Sequence, residues 1–479
     1  MNKKSVVANF IWKFSEKGLS QLLHMIISFV LARLLDPSAY GIVALSTVVI
    51  NVLQVFVDSG LGISLIQKKD ADDLDFSSVF YFNVFGCTIL YVGLFFFAPL
   101  ISSIYNEPQL ISIVRVSGLS LIVSGVRSIQ YAYVSRNMQF KKNFIVTLPS
   151  VILSGALGIF MAYNGFGVWA LVAMNLANIT LGTILLWVVI KWRPLLKFSF
   201  KKLIPLIQYG WKVLVSGLLS VCYNSIRQLL VGKVYSTSDL AYYNKGSDVP
   251  HRLVPVIQNS IVSVFLPTVA KQQTNLAKVK EITSKSVSCV SAIIWPMLIG
   301  LAVCSEPFIR LVLTEKWLPA VPYMQLFCIE QAFWPIAALY TNNLLAIGHS
   351  GMVLKVQTAV RVIGLLLLFI LVPISPFAIA LGAFVCTVLE FAAFAIINCK
   401  LLNLTVLDLV KDVFSFFLLA AIMGAAVLAL GMLQINTFLL LVLQIIVGIA
   451  VYSIELLLFR RDMVTLVMAL IRKKPQQSE

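Results

Sequence analysis

The chain has 479 residues, of which 59% are hydrophobic and only 12% charged, with a formal charge of +17 at pH 7. A soluble globular chain carries about 25% charged residues, so a fully water-exposed fold is excluded and the chain reads as an all-α integral membrane protein. The basic excess is not gathered into one patch of the kind that binds nucleic acid; it recurs in short segments between apolar runs, which is a topology signal and excludes a nucleic-acid partner.

A bilayer-crossing helix needs about 20 largely apolar residues. Runs of that kind predict fourteen spans, near 9–34, 41–66, 77–98, 111–134, 144–163, 166–190, 205–232, 241–268, 282–304, 319–345, 352–372, 376–399, 412–432 and 436–459. The opening "MNKKSVVANF" resembles a signal-peptide n-region, but no small-x-small cleavage site follows it, so the first apolar run reads as a retained helix.

The connections alternate in charge. One set holds Lys3, Lys4, Lys13 and Lys17; Lys68 and Lys69; Arg136, Lys141 and Lys142; Lys191, Arg193, Lys197, Lys201 and Lys202; and, further on, the lysines of 271–285, Lys355, Lys400, Lys411, Arg460, Arg461, Arg472, Lys473 and Lys474. The other set holds only Arg33, Lys233, Lys245, Arg310 and Lys316. The positive-inside rule then puts both termini in the cytoplasm. The longest outer loop is expected near "SEPFIRLVLTEKW" (305–317), and the tail "RRDMVTLVMALIRKK" (460–474) is expected to lie along the inner membrane surface.

The seven cysteines lie in or beside apolar runs without a C-x-x-C pair, and the three histidines are scattered, so no metal site is expected. No phosphate loop of the G-x-x-x-x-G-K-[ST] type, no H-E-x-x-H and no Ser/His/Asp arrangement is recognisable; the chain is expected to be neither an ATPase nor another enzyme, and to need no cofactor.

Charges inside the predicted spans are the informative residues, because a guanidinium at the bilayer centre costs at least about 2.5–3.5 kcal/mol. In "GLLSVCYNSIRQLLVG" (217–232), Ser216, Ser220, Asn224 and Arg227 follow at helical spacing on one face. Similar stripes are Lys17, Ser20, His24 and Ser28; Thr47, Asn51, Gln54 and Asp58; Ser117, Ser120, Ser124, Arg127 and Tyr131; and Asp248, Arg252, Asn259 and Ser263. Hydrocarbon does not tolerate such faces, so they are expected to face one another or a hydrated cavity. The deep bases Arg127, Arg227, Arg252 and Arg361 are met by the deep acids Asp58, Asp248, Glu330 and Glu390. These pair internally, or Arg227, five residues from Gly232, snorkels outward, or some guanidinium forks are left for an anion such as a diphosphate.

"FVLARLLDPSAYGIVALSTVVINVLQVFVDSGLGISLIQKKD" (29–70), "FKKNF" (140–144), "NGFGVWALV" (164–172), "WRPLLKFSFKK" (192–202) and "SDLAYYNKGSDVP" (238–250) together resemble bacterial polysaccharide flippases of the Wzx type, in the multidrug/oligosaccharidyl-lipid/polysaccharide exporter superfamily. The resemblance covers about residues 1–400 and is strongest to the branch serving lipopolysaccharide, exopolysaccharide or teichuronic acid export. It implies two pseudo-symmetric six-helix lobes (1–200 and 201–400), two further helices (401–459) and a cytoplasmic tail (460–479). It also implies a multi-pass protein of the bacterial cytoplasmic (inner) membrane, among membrane lipids, that carries a lipid-linked oligosaccharide of the undecaprenyl-diphosphate type by alternating access through a central cavity. On this expectation Arg227, Arg252, Arg361 and Arg127, with Asn224, Asn259, Asn51, Gln54 and His24, contact diphosphate or sugar. Asp58, Asp248 and Glu330 would bind a coupling H+ or Na+ or pair with the arginines, and a polysaccharide polymerase or glycosyltransferase is an implied partner. The competing readings are a multidrug–cation antiporter of the same superfamily, which needs an acidic or aromatic cavity, and a membrane polysaccharide polymerase, which needs a long catalytic outer loop.

Overall fold

The computed structural model describes residues 3–57, 60–403, 405–433 and 435–461. Its elements are helices: α1 (Lys3–Leu34), α2 (Pro37–Val57), α3 (Leu61–Gln67), α4 (Asp73–Tyr105), α5 (Gln109–Arg136), α6 (Phe140–Tyr163), α7 (Val168–Val189), α8 (Phe200–Val234) and α9 (Thr237–Ala270). They continue with α10 (Leu276–Val303), α11 (Ser305–Val312), α12 (Val321–Ala346), α13 (Ser350–Leu371), α14 (Pro376–Leu402), the short α15 (Val406–Leu409), α16 (Ser415–Leu430) and α17 (Thr437–Phe459). Polar residues punctuate the apolar runs where backbone groups would otherwise be orphaned. Asp72 and Asp75 form a capping box at the start of α4, Ser375 caps α14 and Asn436 caps α17, while Asn106 and Asn403 end α4 and α14 in the left-handed conformation.

Thirteen helical stretches among the described residues are long and apolar enough to cross a membrane. The remaining predicted span, 319–345, is α12, 26 residues long, which falls short on apolarity because it carries Glu330, Gln331, Asn342 and Asn343. Glu330, Gln331 and Asn343 are buried where α12 packs on α10 and α14, and Asn342 donates to the carbonyl of Ala338 at 2.7 Å. Many large apolar side chains point outward, among them Phe96, Phe97, Val188 and Phe459. In water such a surface would aggregate; in a bilayer it is the lipid-facing surface. The stretch 305–317, expected as a loop, holds α11 and the start of a 3-10 turn (Glu315–Ala320). The expected interfacial tail from residue 462 onward lies outside the described residues.

Contacts divide the chain into two units, Met1–Ala241 and Tyr242–Glu479. In the first, α1 packs along α6, α6 along α7, and α5 lies between α4 and α7, while α8 rests on α2, α3 and α4. Gly60, just before α3, has a φ of 71° that is open to glycine at little strain, and a Cβ there would stand 2.8 Å from the carbonyl oxygen of Gly210 on α8. Arg136, at the end of α5, donates to the carbonyls of Leu65 (2.6 Å), Lys68 (2.5 Å) and Lys69 (2.7 Å), so a cation closes the C-terminal end of α3.

The segment between α7 and α8, residues 190–199, is fastened to the start of α4. The Trp192 indole donates to Asp73 (3.0 Å) and lies between Phe76 and Tyr133. The amides of Leu195 and Ser199 donate to the hydroxyls of Ser77 (2.8 Å) and Ser78 (3.0 Å). Lys202 pairs with Asp72, and this hydrogen bond, with the Asp75 amide, holds the Asp72 carboxyl down at about 2. In the second unit α12 is held between α10 and α14, and α16 between α10 and α17. Asn343 and Asn398, both fully buried, join α12 to α14 through a 2.6 Å bond, with Asn398 also donating to the carbonyls of Tyr340 and Phe394.

Candidate functional site

The polar stripe of α5 faces a cavity of about 500 Å³ inside the first unit. Ser124, Arg127, Ser128, Tyr131 and Ser135 recur every three or four residues along one side of the helix and line it from α5, and Gln54 of α2, Ile63 of α3 and Ile179 of α7 close the other sides. Arg127 is the only basic residue in this lining. Its guanidinium lies over the ring of Tyr131, one turn on, with Cζ 4.9 Å from the centroid, and Nη2 donates to the Tyr131 hydroxyl at 3.3 Å. Its Nε is buried without a hydrogen-bond acceptor. Among the described residues no carboxylate lies within ion-pair distance of it. A membrane-embedded guanidinium held by an aromatic face keeps its full charge, with donors to spare for an anion.

A second chamber, of about 400 Å³, lies between α2 and α8. Its polar lining is made of amides, Asn51 and Gln54 from α2 and Asn224 and Gln228 from α8, with Ser225, Val55 and Val221 completing the wall. Gln54 lines both cavities. Four predicted residues on three helices, Arg127, Asn51, Gln54 and Asn224, are thus brought to one place. Gln228, Ser128 and Ser135 belong with them and were not singled out in the sequence; Gln228 stands one turn beyond Asn224 on the same face, which is the signal that points to it.

Other predicted residues lie elsewhere. Arg227 lines neither chamber: at 100° per residue it is turned away from the 221, 224, 225 and 228 face, and its guanidinium lies 5.4 Å from the centroid of Tyr223, one turn back. His24, half-buried on α1, also lines neither cavity, because α1 packs along α6. Asp58 lies outside the described residues.

In the second unit, Asp248 is shared by two cations of α9, Arg252 at 3.8 Å and Lys245 at 4.0 Å. Lys245, expected in an outer loop, is a buried residue within α9, its ammonium 5.5 Å from the ring centroid of Trp317. Asn259 is exposed on the same helix. His251 contacts Gln331 at 3.1 Å, and the buried Glu330 accepts from Thr387 at 3.0 Å. Arg361 is exposed on α13 and acts on Glu390 of α14, which Gln357 also hydrogen-bonds. Among the described residues no cluster of His, Cys, Asp and Glu is placed to hold a metal ion.

Residues 30–322 match the family described as polysaccharide biosynthesis protein. The chain belongs to this family. The chain is similar to the succinoglycan biosynthesis transport protein ExoT of Rhizobium meliloti (strain 1021), 21% identical over 73% of this chain and 71% of that protein. The lipopolysaccharide biosynthesis protein WzxC of Escherichia coli (strain K12) is 26% identical over 63% of this chain and 61% of its own length. Among solved structures, the inward closed conformation of lipid II flippase MurJ superposes with a TM-score of 0.75 at 16% identity, over 94% of this chain and 99% of that one. That likeness fixes the fold alone.

Proposed function

We propose that this protein is a flippase that moves a polyprenyl-diphosphate-linked oligosaccharide across the bacterial cytoplasmic membrane by alternating access, for the assembly of a surface polysaccharide. The observation that carries the reading is the Arg127 cavity: a positive, hydroxyl-lined site inside a membrane helix bundle, matched to the one part of such a lipid that hydrocarbon excludes most strongly. A chain that belongs to a polysaccharide biosynthesis family and whose relatives include a transport protein is read as a carrier and not as an enzyme. The arginine also disfavours a multidrug–cation antiporter, since a lipophilic cation would be repelled from it.

In this reading the diphosphate rests against Arg127, Tyr131 and the serines of α5, and the prenyl chain stays in lipid. Arg252, paired with Asp248, is a second station for the anion in the other unit, released from its carboxylate when the diphosphate arrives. The positive-inside pattern puts both termini in the cytoplasm, and in this reading the cargo enters the cavity from the cytoplasmic leaflet. Asp58, Asp248 and Glu330 are the carboxylates available for a coupling H+ or Na+, and a polymerase or glycosyltransferase would act on the product or supply the cargo.

The test is to delete the gene and recover lipid-linked glycans from each leaflet. Single repeat units trapped in the inner leaflet, with surface polymer lost, support the flippase. Arg127→Lys should rescue partly and Arg127→Gln not at all, and Asp58→Asn tells whether that carboxylate contributes. Units trapped in the outer leaflet would instead indicate a polymerase, and an unchanged glycan pool with new sensitivity to cationic drugs would indicate the antiporter.

A further inference from the structure

Two membrane helices present four amides to one chamber, and none of those amides hydrogen-bonds another described residue. Asn51 and Gln54 on α2 face Asn224 and Gln228 on α8 around about 400 Å³, a volume within the range of small-ligand pockets, about 300–1,000 Å³. Amides that serve only to hold helices together bond to each other across the interface. Here the facing amides leave space between them.

Each amide offers one carbonyl acceptor and two N–H donors. A sugar hydroxyl is also both donor and acceptor, so a ring of amides complements a ring of hydroxyls. A carboxylate differs, because it accepts only: it would use the N–H groups and be left against four carbonyl oxygens, and the lining of this chamber holds no cation. Val55 and Val221 supply the apolar wall that the C–H face of a pyranose needs. The chamber adjoins the Arg127 cavity through Gln54, so whatever occupies it is next to whatever Arg127 holds.

We propose that this amide chamber is a sugar subsite, selecting a neutral, hydroxyl-rich sugar directly attached to the diphosphate over a uronic acid at that position. The assignment rests on the flippase reading above and narrows it: the anion is read by Arg127 on α5, and the first sugar by α2 and α8.

The experiment is equilibrium binding to the full-length protein in nanodiscs, with three probes: undecaprenyl diphosphate bearing a neutral disaccharide, the same lipid with a uronic acid as first sugar, and bare undecaprenyl diphosphate. The neutral glycolipid should bind best. Asn224→Leu and Gln228→Leu keep the helix apolar and should each weaken it by about tenfold, the loss of one or two hydrogen bonds at tenfold per 1.4 kcal/mol, with the bare lipid unchanged. Gln228→Asn, which retains an amide, should recover part of the loss. Arg127→Gln should weaken all three lipids together. Equal weakening of bare and glycosylated lipid by the leucine variants, or preference of the wild type for the uronic acid, would overturn the subsite while leaving the flippase reading standing. Failure of all three lipids to bind the wild type would remove that reading and the subsite with it.

Discussion

Gly182 on α7 makes the room that the guanidinium of Arg127 on α5 occupies: a Cβ there would stand 3.2 Å from Cζ and from Nη1. The contact is with the far end of a flexible side chain, so size decides the outcome. Gly182→Ala should shift the guanidinium by a few tenths of an ångström and leave transport near wild type. Gly182→Leu should drive it off the Tyr131 ring and reduce transport of lipid-linked glycan as far as Arg127→Ala does, with unchanged thermal unfolding. Loss of the folded protein in Gly182→Leu alone would show that α5–α7 packing, and not the arginine, sets the requirement.

Lys68 and Asp75 form an asymmetric pair, joined at 2.7 Å, in which Asp75 is fully buried and Lys68 is one-third exposed. Removing the lysine strands a buried carboxylate, whereas removing the acid leaves an ammonium that reaches water. Lys68→Met should therefore cost about 3 kcal/mol, the scale of a broken buried pair. Asp75→Asn should cost about 1 kcal/mol, because the amide still accepts a hydrogen bond. Thermal unfolding in mild detergent ranks the two, and the reverse order would refute the argument.

The Asp72–Lys202 link carries a pH dependence with a definite sign. The Asp72 carboxyl in the folded chain is held at about 2, chiefly by the Lys202 hydrogen bond, below the ordinary aspartate value of about 3.9. Its contribution is complete above about pH 4 and is lost as pH falls from there toward 2. Hydrogen exchange at the amides of Leu195 and Ser199, corrected for intrinsic rate, should quicken over that interval. Lys202→Gln should flatten the response and leave the Trp192–Asp73 bond with the Ser77 and Ser78 bonds as the remaining hold on the segment.

Asn398 satisfies three groups at once, the Asn343 amide and the carbonyls of Tyr340 and Phe394. Asn398→Leu leaves the Asn343 donor buried and unpaired, which should lower stability by about 2 kcal/mol. The double replacement Asn343→Leu with Asn398→Leu should recover part of that loss, because no orphaned side-chain amide remains between α12 and α14. Additive losses in the double variant would refute the pairing.

The spans were legible because a bilayer imposes one length and one polarity on every crossing, and thirteen of the predicted runs satisfy both criteria. The stripe on α5 was legible for a related reason: Ser124, Arg127 and Tyr131 are too polar for lipid at spacings that share one face. Which stripes meet was not legible. Arg227 sits on a helix whose neighbouring turn faces a chamber, and only the three-dimensional turn of α8 shows that it faces away. Asn343 with Asn398, and Trp192 with Asp73, join positions far apart in sequence, and no local pattern announces such a partner. Gly182 left no signal because its contribution is an absent side chain.

Arg127 and Arg227 share an economy of design: each guanidinium rests on a tyrosine one helical turn away, Tyr131 and Tyr223. A carboxylate in that place would turn the cation into a dipole, whose field dies away within a few ångströms. An aromatic ring steadies the cation and leaves a monopole, felt by an approaching anion well before contact and weakened by added salt.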